Sequence, residues 1–314
     1  MIKHISLITL SILIFIALNL LLGPAGLTTN PLILLDVRLP RILMAILAGA
    51  CLGVSGAAIQ SLLRNPLAEP GLLGVSSWAA LGAIACFYFI SSNQSGFIMP
   101  IGGLVGALFS VILLFILSHK SHSILTVILA GLVSSSLAGA LISLALNLAP
   151  NPWVLGEMVE WLFGTLKRAD MQKIIYATPF AITGLGLLFS ARKQLDVLSL
   201  GEPVAASLGV NLKGLYIKLA IGIALSVGVV TAFCGAIGFI GLMVPHLVRP
   251  LAKNKPSMVM VYSLFAGIFM MLAADLLVRI IPTRNELYIG VVMALIGFPF
   301  FLQLLLKQRK KGWL

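Results

Sequence analysis

Two arginines, Arg38 and Arg41, stand three residues apart beside Pro40, and no charge follows them until Arg64. Guanidinium groups keep their proton at any ordinary pH, so such a pair binds carboxylates or snorkels to a membrane interface and does not catalyse proton transfer. Arg279 closes a later apolar run four residues after Asp275. The chain has only nine acidic residues, and Asp275 alone falls within an apolar run. Glu69 lies in the loop Arg64-Asn65-Pro66-Leu67-Ala68-Glu69-Pro70-Gly71, where two prolines and a glycine stop one helix and set the turn into the next. Cys51, Cys86 and Cys234 all sit in apolar runs, without metal-ligand spacing. His246 follows Pro245 with no second ligand type nearby, so a local hydrogen bond competes with metal ligation. Ser134, Ser135 and Ser136 fall mid-run, where they line a path or bond back to the preceding turn. Neither a nucleophile–base constellation nor a G-x-x-x-x-G-K-[ST] phosphate loop occurs, so this chain is not expected to be an enzyme or to bind ATP itself.

The elements that position these groups follow from composition. The chain is 60% hydrophobic and 10% charged, against roughly 25% charged in soluble domains. This is an all-α polytopic membrane protein, since open sheet edges cannot live in lipid and the alternation of a barrel is missing. A hydrocarbon core of about 30 Å needs about twenty residues per helix, which places spans at 5–22, 41–62, 75–91, 98–118, 124–148, 172–190, 214–234, 236–251, 257–281 and 287–306. The eighth is short and glycine-rich. The first is read as a retained helix, because its apolar run is long for a signal peptide and no A-x-A site follows. With both termini cytoplasmic, two-thirds of the 21 lysines and arginines fall inside, as the positive-inside rule requires. The net charge of +12 is scattered between apolar segments, which argues against nucleic acid. The 30 glycines suit close helix packing. The whole of 1–314 reads as a single transmembrane domain.

Residues 199–211 form the most structured cytoplasmic break. Pro203 fits only a first helical turn, Gly209 is a natural stop, and Asn211 can cap the next helix. Val204 and Leu208 share one face, which either packs on neighbouring helix ends or awaits a partner.

From Arg38 to Ser77 the sequence resembles the signature of the FecCD-type permeases, the membrane subunits of ABC importers for iron complexes, heme and cobalamin. The resemblance continues in Trp161-Leu162-Phe163-Gly164-Thr165-Leu166, in the coupling-like segment from Gly201 to Val210, and in the motif from Gly238 to Arg249. Ala274-Asp275 with Arg279, Glu286-Leu287 and Gly297-Phe298-Pro299-Phe300-Phe301 extend it through the last two helices. Departures are Pro203 and Ala206 in the coupling segment, and Ala252-Lys253-Asn254-Lys255-Pro256 after the Pro245–Arg249 motif.

This resemblance implies a permease in a bacterial cytoplasmic membrane, pairing with a second permease subunit, identical or sister. Two ATP-binding subunits drive it, and an extracytoplasmic binding protein supplies the cargo, a ferric siderophore foremost, with heme or cobalamin as alternatives. It implies that Arg38, Arg41 and Arg279 dock the binding protein. It assigns ATPase coupling to Glu202, Pro203, Val204, Ala205, Ser207, Leu208 and Gly209, with Glu69 as the second candidate. No cofactor is implied in this chain. An ion-coupled secondary transporter is the weaker rival, since that mechanism needs ionisable groups at mid-membrane.

Overall fold

The computed structural model describes residues 2–23, 26–27, 30–89, 98–118, 124–283 and 286–310. Lys120, Arg284 and Lys311, which entered the charge argument, lie outside them. Among the described residues the secondary structure is helical, apart from a short hairpin pairing Leu22–Gly23 with Gly26–Leu27. Helices α1 (Ile2–Leu21), α2 (Leu39–Leu62), α3 (Val75–Phe89), α4 (Ile98–Ser118) and α5 (Ile124–Asn147) come first. Then follow α6 (Pro152–Phe163), α7 (Met171–Ser190), α8 (Arg192–Leu198), α9 (Glu202–Ser207), α10 (Leu212–Cys234), α11 (Ile240–Val248), α12 (Pro256–Ile280) and α13 (Ile289–Lys310). Among the described residues, six stretches are long and apolar enough to cross a membrane, beginning at Ile33, Ile98, Thr126, Met171, Leu212 and Pro256. Three shorter apolar helices begin at Ile5, Val75 and Ile289.

Helix α2 is the axis of the core. It runs antiparallel to α12, with Gly49 against Gly267 and Gly53 against Ser263, so closely that a Cβ on Gly49, Gly53 or Gly267 would overlap facing backbone. Lipid provides no hydrophobic incentive for helices to associate, so such contact between small residues supplies the dispersion energy that holds the pair. On another side α2 meets α11, where Gly56 faces Gly241 with the same absence of room.

Two expected crossings are not continuous helices. Helix α11 has nine residues, about 13 Å of rise, far short of the expected 236–251 span. Residues 235–239 make no helix, and Gly241 lies against both Gly56 and the Leu52 carbonyl of α2.

The second interruption follows α2. After Leu63 the backbone turns at Arg64, whose φ is +48°, and doubles back so that Pro70 abuts Gly241. A short 3-10 turn, Pro70–Leu73, ends at Gly74 with φ +79°, a left-handed conformation that glycine adopts without a Cβ penalty. Helix α3 starts from that depth and needs only 15 residues.

Two helices were not expected from the sequence, α6 in the 149–171 break and α8 in the 191–213 break. The first follows capping logic once seen, as does α7 after it, whereas α8 starts at Ala191 without a side-chain cap. Asn151 accepts the Val154 N–H at 2.9 Å and Asp170 accepts the Lys173 N–H at 2.8 Å, starting α6 and α7. Asn211 caps α10 through the Gly214 N–H at 2.9 Å, as its position suggested.

Candidate functional site

The residues singled out by type and spacing fall at three depths along the bundle. At the end that the charge distribution assigns to the outside, Arg41 Nε lies 2.6 Å from Asp275 Oδ1, and its Nη2 also bonds Glu286. Arg279 Nη2 sits 3.1 Å from Asp275 Oδ2, and its Nη1 donates to the Asn19 carbonyl at 3.2 Å. Arg279 also bonds the Asn19 side chain, while Arg38 donates to the Leu20 carbonyl and packs on Gly23. Arg38, Arg41 and Arg279 are each only 6% exposed, and Asp275 is fully buried. The guanidiniums turn inward and tie α1, α2, α12 and the segment before α13 together. The physical reason is Asp275, a buried charge that is tolerable only when paired. Three arginines face two carboxylates here, which leaves one positive charge in excess. Glu286 is the more accessible carboxylate, its side chain 19% exposed.

Farther out, Arg168 bridges Glu157 at 2.6 Å and Glu160 at 2.6 Å across the turn between α6 and α7. Its pKa is held above the ordinary arginine value, first by the hydrogen bond to Glu157, against the opposing effect of burial.

At mid-depth the two interrupted crossings meet. Glu69 Oε1 accepts the backbone N–H of Phe239 at 2.7 Å, one residue before α11 begins. Phe239 has φ +67°, unusual for an aromatic residue. The carboxylate thus takes a donor at the start of α11, where peptide dipoles favour negative charge. Beside it lies a cavity of about 150 Å³, lined by Leu52, Glu69, Gly71, Ser76, Val227 and Gly238 among others. Glu69 thus meets the start of α11, because the loop that carries it folds back between helices. Sequence reasoning missed this site. The signal was the pairing of a Pro/Gly-rich loop with a glycine-rich short span.

The serine trio divides. Ser134 is buried and accepts the Trp78 Nε1–H at 2.7 Å. Ser135 and Ser136 donate back to Gly131 and Leu132 carbonyls at 2.8 and 2.9 Å, and only Ser136 is exposed. The motif residue Arg249 donates to Gln60 Oε1 at 2.7 Å, and Gln60 Nε2 donates to the Leu242 carbonyl at 3.1 Å, clamping α11 to α2. His246 lies edge-on to Phe300, with centroids 5.7 Å apart.

At the opposite end, α9 spans Glu202–Ser207, shorter than the 199–211 expected, with Pro203 in its first turn. Gly209 ends it at φ +83°. Ala205 is fully buried, and Glu202 accepts the Tyr216 hydroxyl at 3.0 Å, so the helix is pinned on one side. On the other side Leu200, Val204 and Leu208 are 64%, 42% and 63% exposed, an apolar face beside the exposed Pro203 and Ser207.

This arrangement of broken crossings between a polar outer cluster and an apolar inner platform has counterparts. The FecCD transport family matches residues 4–307. The chain belongs to that family. Among curated relatives, an uncharacterized ABC transporter permease protein, YvrB of Bacillus subtilis, is 35% identical over 89% of this chain and 80% of its own length. The hemin transport permease HmuU of Yersinia pestis is 35% identical over 88% of this chain and 84% of its own. The vitamin B12 import permease BtuC of Klebsiella pneumoniae is 34% identical over 88% and 83%. Among solved structures, an inward-facing conformation described as a metal-chelate type ABC transporter aligns with a TM-score of 0.89 and 30% identity. It covers 98% of this chain and 100% of that one. The FecCD chain is thus a multi-pass membrane permease of the ABC importer type.

Proposed function

We propose that this FecCD permease is the pore-forming half of a binding-protein-dependent ABC importer for an iron complex, a ferric siderophore foremost. It works as a dimer with a like or sister permease, and ATP is bound and hydrolysed by two separate partner chains. The observation that carries the reading is α9: a pinned helix holding Val204 and Leu208 outward at the inner end. Apolar side chains on a two-turn cytoplasmic helix are stable in that position when a partner covers them. The basic outer cluster supports docking of a binding protein whose carboxylates take the place of Glu286 at Arg41, aided by the uncompensated charge of Arg38. Relatives named for hemin and vitamin B12 keep heme and cobalamin as the second reading of the cargo. Ion-coupled transport gains little, since Asp275 is locked between Arg41 and Arg279.

The test is co-purification with the ATPase subunits together with ATP-driven uptake in liposomes. Leu208→Asp places a charge in the contact, whose desolvation costs several kcal/mol at a dry interface. It is expected to release the ATPase while leaving the permease folded. Retention of both binding and uptake in this variant would refute the role of α9. Uptake assays with ferric siderophore, heme and cobalamin in parallel then decide the cargo.

A further inference from the structure

Helix α12 lacks a capping side chain of its own. Lys255 occupies the N-cap position without a side-chain hydrogen bond, and Pro256 follows it. The cap comes from another element: Asp196 Oδ1 accepts the Ser257 N–H at 2.8 Å, and its Oδ2 lies 3.6 Å from Lys255 Nζ. A carboxylate at a helix N-terminus satisfies an orphan donor and complements the dipole, whichever element provides it. Asp196 belongs to α8, whose Leu195 and Leu198 are fully buried.

Helices α8 and α9 are one mechanical piece. Ser199 N–H donates to the Leu195 carbonyl at 3.1 Å, Gly201 N–H to Leu198 at 3.0 Å, and Ala205 N–H to Gly201 at 2.9 Å, so bonded turns run from one into the other. The apolar face of α9 and the cap on α12 therefore move together. Helix α12 has 25 residues, about 37 Å, and is pressed against α2 at Gly267. Its far end carries Asp275 and Arg279 into the outer cluster. The second attachment of α9, Glu202 to Tyr216, leads into α10, which ends at Cys234, whose carbonyl accepts the Thr165 N–H.

We propose that Asp196 is a positioning residue of the transport cycle. Its cap joins the α8–α9 piece to α12, so that movement imposed on α9 by ATP is conveyed along α12 to the outer arginine cluster. The proposal rests on the importer reading above. Because coupling between two sites is reciprocal in binding free energy, occupation of the outer cluster biases the same element in return, and a docked binding protein acts on the ATPase by this route.

The experiment uses the permease purified with its ATPase subunits in liposomes, with the binding protein added. Asp196→Ala is expected to keep ATPase binding and the basal ATP hydrolysis rate, while stimulation by the binding protein is lost. Adding Lys255→Asp gives α12 a local N-cap. The double variant is expected to regain thermal stability and remain unstimulated, because the link to α8 is still absent. Normal stimulation in Asp196→Ala, or its return in the double variant, would overturn the proposal and reduce Asp196 to a stabilising cap. Absence of any ATPase partner from the wild-type preparation would instead remove the importer reading, a result distinct from either.

Discussion

Asp275 offers the sharpest energetic test. Its carboxylate is fully buried between Arg41 at 2.6 Å and Arg279 at 3.1 Å. Asp275→Asn keeps the size of the side chain and removes the charge that both guanidiniums face. Arg41 retains Glu286 and Arg279 retains Asn19, so neither loses every partner. Removing one member of a buried ion pair nevertheless costs about 3–5 kcal/mol, because the remaining charge stays desolvated. For a domain of this size that corresponds to a fall in Tm on the order of 10 °C. The control is Glu157→Gln, which removes one contact to Arg168, whose side chain is 41% exposed. Such an exposed pair contributes about 0–1 kcal/mol, so that control is expected to stay within about 2 °C of wild type. Thermal unfolding of the purified permease in detergent, followed by cysteine-reactive dye at Cys51 and Cys234, measures both; the two thiols are buried in the native fold. A Tm for Asp275→Asn as close to wild type as that of the control would refute the argument. It would mean that water reaches the cluster and that the arginines are free for an incoming partner without rearrangement.

Gly267→Ala is expected to separate α12 from α2, since its Cβ would overlap the Gly49 backbone; overpacking of this kind costs about 1–3 kcal/mol, visible in the same unfolding assay. Glu69→Ala removes the acceptor of the Phe239 N–H and leaves a buried donor unpaired, at a cost of about 1–3 kcal/mol. Glu69→Gln retains an acceptor oxygen, so uptake is expected to survive in the glutamine variant and to fall sharply with alanine. Equal uptake in the two would mean that the hydrogen bond between the broken crossings plays no part in transport.

Much was legible from the sequence because the relevant physics is local or one-dimensional. The scarcity of charge and the lengths of the apolar runs dictate membrane helices, since backbone polar groups in lipid must be satisfied within each segment. Pro203, Gly209 and Asn211 mark the start of α9, its stop and the cap of α10 by their own backbone preferences, and the structure has all three in those places. That Val204 and Leu208 share one face followed from helical spacing; that the face is exposed came only from the structure.

What tertiary structure decided is where distant charges meet. Nothing near Arg41 in the sequence announces Asp275, 234 residues away, and only the antiparallel docking of α2 on α12 brings them together. That pairing holds Arg41 and Arg279 buried, because a desolvated carboxylate must be neutralised where it sits. Glu69 likewise reads as a loop residue until the chain doubles back and presents it to the N–H of Phe239. Asp196 caps a helix that begins 60 residues later. Local propensity and hydropathy determine that a segment is helical and that it lies in lipid; which buried polar group finds which partner depends on packing that no single segment encodes.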